Sequence, residues 1–292
     1  MSKFPLFNEG GGLLLSGIFI ILFWLQWRFP LRRQHFSAFR RLIRNWVLSI
    51  PGFAVVRFAM LPVPIAAAMW AQDRHVGLLN WLSLPTFAVW IATFLLMDYA
   101  YWWWHWANHM IPLFWRFHNV HHTDLDLDVS TAARFHFGEM VFSIGFLALA
   151  VVAFGIPPIM LLVFFLCLEV ATLFHHSNWR LPIRLERILN SIVVTPRMHG
   201  IHHSIVQRET NSNWGTVFCW WDKLHRTLRR DIPQNEITIG GGGLSRRKGT
   251  DARPTFGPAV PQTTGVALAQ WSRAGPQAAA RSPTRRVVVY RP

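Results

Sequence analysis

Eight histidines fall in two bursts whose spacing suits metal binding. The second burst begins about eighty residues after the first and repeats the spacing of the first burst's end. Imidazole is the commonest protein ligand for zinc, iron, copper and nickel. The sequence therefore predicts a histidine-rich metal site. In chain order the spacing is H-x3-H, H-x2-H-H and H-x2-H-H, made by His105, His109, His118, His121, His122, His199, His202 and His203.

The number of these histidines indicates two metal ions. In a helix, residues i and i+4 share a face, so His105 and His109 can project toward one point. Each H-x2-H-H pattern can supply two or three further ligands. Any one histidine is more often structural than a ligand, but eight exceed what one tetrahedral zinc requires. The set suits two ions, each with several nitrogen donors and an open position.

The elements that must position these histidines are long apolar segments. The chain has 292 residues, of which 52% are hydrophobic and only 15% charged. A soluble domain would carry nearer a quarter charged residues. Blocks of about twenty apolar residues indicate membrane spans, and 16 Trp suit interfacial positions. We predict an all-α integral membrane protein with about 4–5 membrane-inserted helices and a cytoplasmic helical cap that carries the dimetal site.

Five apolar segments are the predicted membrane helices. Lys3 is the one basic residue before the first segment, and no small-residue cleavage site follows that segment. Both features favour an uncleaved span over a signal peptide. The last two are short, and we predict a helical hairpin that crosses the bilayer or dips deeply into it. The segments are residues 11–27, 47–71, 78–104, 139–155 and 157–174.

Two further segments have the pattern of helices that lie on the membrane surface. Residues 181–194 place four aliphatic residues on one side, and residues 31–46 are apolar on one side and basic on the other. A solvated loop is the alternative for residues 31–46. The two sides of 31–46 are Phe36, Phe39, Leu42, Ile43 and Trp46, opposite Arg32, Arg33, Arg40, Arg41 and Arg44.

The order of the spans predicts that all histidine bursts share one membrane face. The basic loop 28–44 should be cytoplasmic, because cytoplasmic loops carry an excess of Lys and Arg. Two crossings later the third span ends on that side at His105. The hairpin returns the chain there at His175, and the second burst follows without another span.

The net charge of +15 does not indicate nucleic-acid binding, because residues 246–292 alone carry nine Lys or Arg against one Asp. We predict no nucleic-acid partner.

Cys167 and Cys219 give neither a disulfide framework nor a cysteine metal site. Composition shifts abruptly at Gly240. We predict membrane spans with a basic interfacial helix over 1–90, the histidine-bearing domain over 91–239, and a disordered basic tail over 240–292. A frameshifted reading is our hypothesis for the origin of this tail.

Beyond the histidines, whole stretches of the chain resemble a known family. DYAYWWWHWANH, LFWRFHNVHHTD and TPRMHGIHHS resemble the three histidine boxes of the fatty acid hydroxylase and sterol desaturase superfamily, in its bacterial branch. STAARFHFGE, TLFHHSNWRLP and NSNWGTVFCWWDKLHRT resemble its connecting signatures. The resemblance covers about residues 90–237.

The resemblance implies a set of site residues. The eight histidines would bind two metal ions, physiologically iron, although zinc can replace it in purified protein. One of His175 and His176 would complete the ligands, and His136 would be either a further ligand or a residue that hydrogen-bonds a ligand. Asp98 lies two turns before His105, so we expect it to accept a hydrogen bond from a ligand imidazole, unless interfacial partners satisfy it. Residues expected to orient ligands or loops are Asp98, Glu139, Arg134, Arg197, Asn213 and Asp222; those outside every box, expected at the surface, are His35, His75 and His225.

The resemblance also implies the reaction. An iron pair would activate O2 and remove hydrogen from a lipid C–H bond, giving a hydroxylated or a desaturated product. The apolar lining from Phe114, Trp115, Phe117 and the spans would guide the lipid substrate, although each of the three aromatic residues is more often a packing residue than a substrate contact. Electrons would come from a separate protein, cytochrome b5-like or ferredoxin-like, since no flavin or nicotinamide fingerprint is present. The resemblance places the protein in the bacterial inner membrane, acting in lipid biosynthesis.

Two other functions stay open at this point. One is a membrane electron carrier whose histidine pairs ligate b-type haem across helices. Such ligands usually lie inside separate spans rather than at span exits beside His-His doublets. The other is a metal-binding relative that has lost catalysis, against which the intact boxes count.

Overall fold

Apolar runs with few charges fold as helices, because a helix satisfies its own backbone hydrogen bonds where water is absent. The computed structural model describes residues 10–240, and between those residues it contains helices, turns and isolated bridges but no strand. The predicted all-α class is confirmed. The helices are α1 Gly10–Arg28, α2 Ala38–Val55, α3 Pro62–Asp73, α4 Leu78–Trp81, α5 Thr86–Met110, α6 Pro112–His122, α7 Phe137–Phe154, α8 Pro158–His176, α9 Ile183–Leu189, α10 Pro196–His202, α11 Gln207–Thr210 and α12 Trp220–Leu224, with a π-helical segment Val56–Met60 and a 3-10 helix Val129–Ala133.

Four helical segments are long and apolar enough to cross a membrane: Gly10–Arg28, Ala38–Trp81, Phe137–Phe154 and Pro158–His176. They match the first, second, fourth and fifth predicted spans. The third predicted span, 78–104, falls mostly on α5, which has 25 residues but is not among the four. The structure thus has the apolar helices of an integral membrane protein, whereas its orientation stays a prediction.

The boundary that we predicted between an interfacial helix and the second span, at residues 46–47, is wrong. Residues 31–37 are not helical, and α2 runs without a break from Ala38 to Val55 through Pro51. A π-helical segment, Val56–Met60, then joins α2 to α3. Proline removes one backbone donor and a π turn shifts the register, so both bend a helix without ending it.

The core of the bundle lies between α3, α5, α7 and α8. Its buried side chains include Met97 of α5, Leu147 of α7 and Phe164 of α8, each with no accessible surface. The predicted hairpin is formed by α7 and α8. Gly155 ends α7 at a left-handed φ of 65°, a conformation that glycine adopts without strain. The hairpin therefore reverses the chain at the predicted place.

The cap beyond α8 consists of short helices. The interfacial helix predicted over 181–194 is shorter, since α9 ends at Leu189 and Asn190 begins a turn. Ile188 and Ile192 remain exposed, as expected of an apolar face toward a membrane surface. Except for Gly240, the predicted tail 240–292 lies outside the described residues.

Candidate metal centre

Nine buried or partly buried histidines form two groups, each able to hold a metal ion. Within each group, one ring nitrogen per residue lies within 4.8 Å of those of all the others. The first, called the His105 group, is His105 and His109 of α5, His118 and His122 of α6, and His202 of α10. The second, called the His121 group, is His121 of α6, His176 of α8, His199 of α10 and His203, which follows α10.

The two groups draw on both histidine bursts. Consecutive residues on a helix are about 100° apart, so the members of a His-His doublet point to different places. His122 therefore joins the His105 group, whereas the adjacent His121 joins the other. The second doublet divides too: His202 joins the His105 group, and His203 joins the His121 group. As a result, α6 and α10 each contribute to both groups.

Backbone carbonyls fix the orientation of several rings. His105 Nδ1 lies 2.9 Å from the carbonyl of Trp214, and His202 Nδ1 lies 2.8 Å from that of Ser212. A ring nitrogen that bonds a carbonyl must carry the hydrogen, which leaves the other nitrogen with a free lone pair. This arrangement is typical of metal-ligating histidines.

The lone pairs converge in a way that calls for a cation. In the His121 group, Nδ1 of His121 bonds the Arg134 carbonyl at 3.3 Å and Nδ1 of His176 bonds the Thr172 carbonyl at 2.8 Å. Both Nε2 atoms therefore present lone pairs, and they lie 2.9 Å apart. His199 Nε2 is also 2.9 Å from His176 Nε2. Lone pairs this close repel one another unless a positive ion binds them, so the residues fit a metal.

The histidines are held in the neutral form that metals bind. Burial, followed by the charges of neighbouring imidazoles, lowers the pKa of His122, His199 and His203 well below its ordinary value. Burial also lowers the pKa of His202 to about 3, although the hydrogen bond to the Ser212 carbonyl acts in the opposite direction. These rings are therefore neutral at pH 7 and can act as metal ligands.

Glu139 bonds a histidine of the His105 group directly. Its Oε1 lies 2.9 Å from Nδ1 of His118, and both side chains are buried. The first turn of α7 brings Glu139 there from a neighbouring helix. A carboxylate on the outer nitrogen fixes the tautomer and makes the ring a stronger ligand.

We expect Glu139→Gln to weaken metal binding at the His105 group by about 10–100-fold, because the amide is a weaker acceptor for His118. The metal that remains after dialysis against graded chelator concentrations measures the effect. Glu236→Gln, at an exposed position, is the matched control. Equal metal retention in the two variants would contradict this role.

Asp98 does not bond an imidazole, contrary to our expectation. Its carboxylate accepts hydrogen bonds from the backbone N–H groups of Val217 and Phe218 and from Trp221 Nε1. Asp222 accepts from the N–H groups of Trp214 and Gly215. The two buried carboxylates thus hold the segment 214–222, whose carbonyl at Trp214 orients His105.

Asn213 has a comparable structural role. It adopts a left-handed φ of 53°, and its side-chain amide donates to the carbonyls of Met198 and Arg229. Asparagine tolerates this conformation better than most residues. Asn213 therefore fixes the chain between Ser212 and Trp214, both of which offer carbonyls to histidines.

His136 and His175 lie in neither group. His136 Nδ1 accepts a hydrogen bond from the Gly138 N–H at 3.0 Å and caps α7. His175 lies closer to the His121 group than His136 does. Its ring centroid is 4.1 Å from that of His199, and its Nδ1 bonds the Thr216 carbonyl. Of the alternatives His175 and His176, the structure brings His176 into a group. His35 and His75 are exposed as expected, whereas His225 is half-buried and stacks on Trp102.

A cavity of about 700 Å³ reaches both groups. Its walls are mostly apolar and come from α1, α2, α5 and α8, including Phe19, Phe53 and Phe165. Phe114, Trp115 and Phe117 do not line it and have the packing role that we gave as the alternative. Phe114 packs on Trp104 and Phe142, Trp115 on His109 and His122, and Phe117 on His136. The histidines that border the cavity are His105, His118, His121, His175, His176 and His199.

Residues 90–227 match the fatty acid hydroxylase family. This part, just under half of the chain, is similar to that family. The match contains every histidine of both groups, so the family resemblance seen in the sequence is confirmed. No solved structure gives a significant match to the chain.

The similar curated proteins are fatty acid hydroxylase relatives named for their action on lipids. Alkylglycerol monooxygenase of Xenopus tropicalis is 29% identical over 186 residues, which are 64% of this chain and 39% of that protein. Ornithine lipid hydroxylase OlsE of Rhizobium tropici is 34% identical over 130 residues, 43% and 37% of the two chains. Human cholesterol 25-hydroxylase is 29% identical over 139 residues, 46% and 49%. The chain thus spans less than half the length of these relatives.

Proposed function

We propose that this protein is a membrane-bound di-iron oxygenase that hydroxylates a lipid C–H bond, with desaturation as the alternative outcome. The observation that carries the proposal is the meeting of two all-imidazole groups with the end of a large apolar cavity. The printed activities of the relatives, all hydroxylases or monooxygenases of lipids, support the same class of reaction.

The residues proposed to hold the two ions are the nine histidines of the His105 and His121 groups. Iron bound there would supply the reduction of O2 and the removal of hydrogen from an unactivated carbon. Because its ligands are neutral, the centre keeps more positive charge than the carboxylate-rich di-iron sites of helical bundles. The protein contributes the ring orientations through Glu139 and the carbonyls of Trp214, Ser212 and Arg134.

The cavity would bring the substrate to these ions and exclude water from it. Aromatic and aliphatic side chains form most of its wall, which suits a hydrocarbon chain better than a polar metabolite. Electrons would come from an external protein, cytochrome b5-like or ferredoxin-like. We propose that the histidines face the cytoplasm of a bacterial inner membrane, on the basis of the basic loop after α1.

Paired lipid mass spectrometry of cells that express wild type or His121→Ala tests the proposal. We expect a lipid heavier by one oxygen in the wild type and its absence in the variant, because the variant lacks a ligand. A lipid lighter by two hydrogens would identify a desaturase instead. The matched control is His75→Asn, at an exposed left-handed position that asparagine tolerates.

The absence of any lipid change that depends on His121, in a host that supplies electrons, would contradict catalysis. Haem is tested on the same purified protein, since a haem carrier shows a Soret band. Groups of five and four imidazoles exceed the two axial ligands that a bis-histidine haem uses, so we expect no such band.

A further inference from the structure

Glu169 is an acidic side chain in the wall of the otherwise apolar cavity. It lies on α8, within a segment apolar enough to span a membrane; its side chain is exposed and borders the cavity. Ionisable residues within membrane segments are costly and mark functional positions unless a protein partner explains them. The other acids in the four candidate spans are explained: Asp73 is the last residue of α3, where a polar turn begins, and Glu139 bonds His118.

No described residue explains Glu169 in this way. Among residues 10–240, none donates a hydrogen bond or forms an ion pair with its carboxylate. Nearby, Tyr101 of α5 also lines the cavity, and its hydroxyl is buried without a partner. The Tyr101 ring contacts Phe164 of α8, the helix that carries Glu169, with ring centroids 5.8 Å apart. A buried polar group left unpaired is unfavourable, so the Tyr101 hydroxyl lacks a partner that a ligand could supply.

Two serine hydroxyls of the cavity are already satisfied, whereas Oε2 of Glu139 is buried without a partner. The Ser49 hydroxyl donates to the carbonyl of Asn45 at 2.6 Å, and the Ser143 hydroxyl donates to that of Glu139 at 2.8 Å. Glu169 therefore offers a free and strong hydrogen-bond acceptor to a molecule in the cavity. Plain hydrocarbon would leave it unpaired.

The position of Glu169 relative to the proposed metal ligands sets a distance. Glu169 and His176 are seven residues apart on α8, which is two turns and ~10 Å along the axis. Positions i and i+7 share a face, and both residues border the same cavity. A molecule bonded to Glu169 can therefore place another part of its chain at the His121 group.

We propose that Glu169, with Tyr101 in the wall of the same cavity, selects lipids that carry a hydrogen-bond donor, a hydroxyl or an amine, ~10 Å from the carbon presented to the histidines. This rests on the proposed function for the identity of the reaction. It adds the substrate class, a donor-bearing lipid rather than a plain hydrocarbon chain. Glu169 acts as a specificity-determining residue and takes no part in metal binding.

Ligand binding without turnover tests the proposal on the full-length protein in amphipol. Dodecane, 1-dodecanol and dodecylamine differ only in their end group, and each competes against tritium-labelled 1-dodecanol. We expect the wild type to prefer the alcohol or the amine over dodecane by about 10-fold or more, a single well-made hydrogen bond to a charged group. In Glu169→Leu the three should bind within about 2-fold of one another.

Two further variants sharpen the result. Glu169→Gln keeps an acceptor but loses the charge, so a preference for the alcohol that survives there points to a hydroxyl lipid. A preference for the amine that disappears in Glu169→Gln points to an ammonium lipid. Leu166→Met changes the same cavity wall without altering its polarity and should keep the wild-type preference. Thermal unfolding confirms that each variant is folded.

A wild type that binds dodecane as well as 1-dodecanol would overturn the proposal, as would an unchanged preference in folded Glu169→Leu. This failure is distinct from failure of the proposed function. If the protein discriminates among these ligands but oxygenates no lipid, the donor-selecting cavity stands and the proposed reaction is wrong. If the protein oxygenates lipids but binds the three ligands equally well, the proposed reaction stands and the proposed role of Glu169 is wrong.

Discussion

Alanine at His121 and alanine at the adjacent His122 should remove metal from different groups. His121 belongs with His176, His199 and His203, whereas His122 belongs with the His105 group. We expect each single variant to lose roughly half of the bound metal, because each group is proposed to hold one ion. Lipid product should fall by more than ~100-fold in both variants, since the loss of a residue that only hydrogen-bonds a metal ligand already lowers activity by about 10–100-fold.

Double variants separate this arrangement from a simpler one in which each burst forms one site. Combining His121→Ala with His199→Ala affects the same group, so we expect little further metal loss. Combining His121→Ala with His202→Ala affects both groups and should remove nearly all metal. Iron or zinc per protein, measured by inductively coupled plasma mass spectrometry, gives the count, and His75→Asn is the control.

The arrangement would be contradicted by the opposite pattern. If His121 and His122 belonged to one site, their double variant would keep about half of the metal, as the single variants do. The proposed division predicts that this double variant loses metal from both groups. The test therefore depends on the pairing of residues and not on whether any one histidine matters.

Much of the metal centre could be predicted from the sequence, because the informative residues are side chains with a fixed spacing. The histidine boxes and the apolar helices beneath them are both visible in the chain. The division of each His-His doublet between groups follows from helix geometry, yet it requires knowing that His118, His121 and His122 lie on one uninterrupted helix. The carbonyls of Trp214, Ser212 and Arg134 could not be predicted, since a backbone partner leaves no pattern in residue types.

The role of the arginines before the second span could not be predicted for a different reason. Their spacing fits a basic face on a membrane surface, but Arg41 is 1% exposed and Arg32 is 9% exposed. Arg41 instead binds Asp124, which is 83 residues away in the chain. A helical period shows which residues share a face. It does not show whether water, lipid headgroups or a distant carboxylate lies opposite that face.

The buried network around Arg41 supports the second large expected effect. Arg41 lies 2.8 Å from a carboxylate oxygen of Asp124 and also pairs with Asp128, and the three side chains are almost completely buried. Asn45 of the same helix donates to Asp124 and accepts from Arg134. The network therefore ties α2 to the segment 124–134, which follows the His121–His122 doublet.

We expect Arg41→Met to lower the free energy of unfolding by about 3–5 kcal/mol, because it leaves buried carboxylates without a countercharge. Arg44→Met is the matched control. Arg44 also pairs with Asp124, at 3.1 Å, but its side chain is 48% exposed. A pair of this kind contributes about 0–1 kcal/mol. Denaturant unfolding of both variants in the same detergent measures the difference, and equal losses would contradict the network's importance.

Acid should weaken the wild-type network at the same place. Burial by itself would raise the pKa of Asp124, but the hydrogen bond and charge of Arg41 and the amide of Asn45 outweigh it, so the pKa lies below its ordinary value. A depressed carboxyl pKa stabilises the fold above the unfolded pKa of about 4, and this contribution is lost as pH falls through the folded value. Arg41→Met removes the main cause of the depression. Its unfolding free energy should therefore fall less steeply than that of the wild type below pH ~4. Because Arg134 joins this network to the carbonyl that orients His121, metal should be lost from the His121 group together with stability.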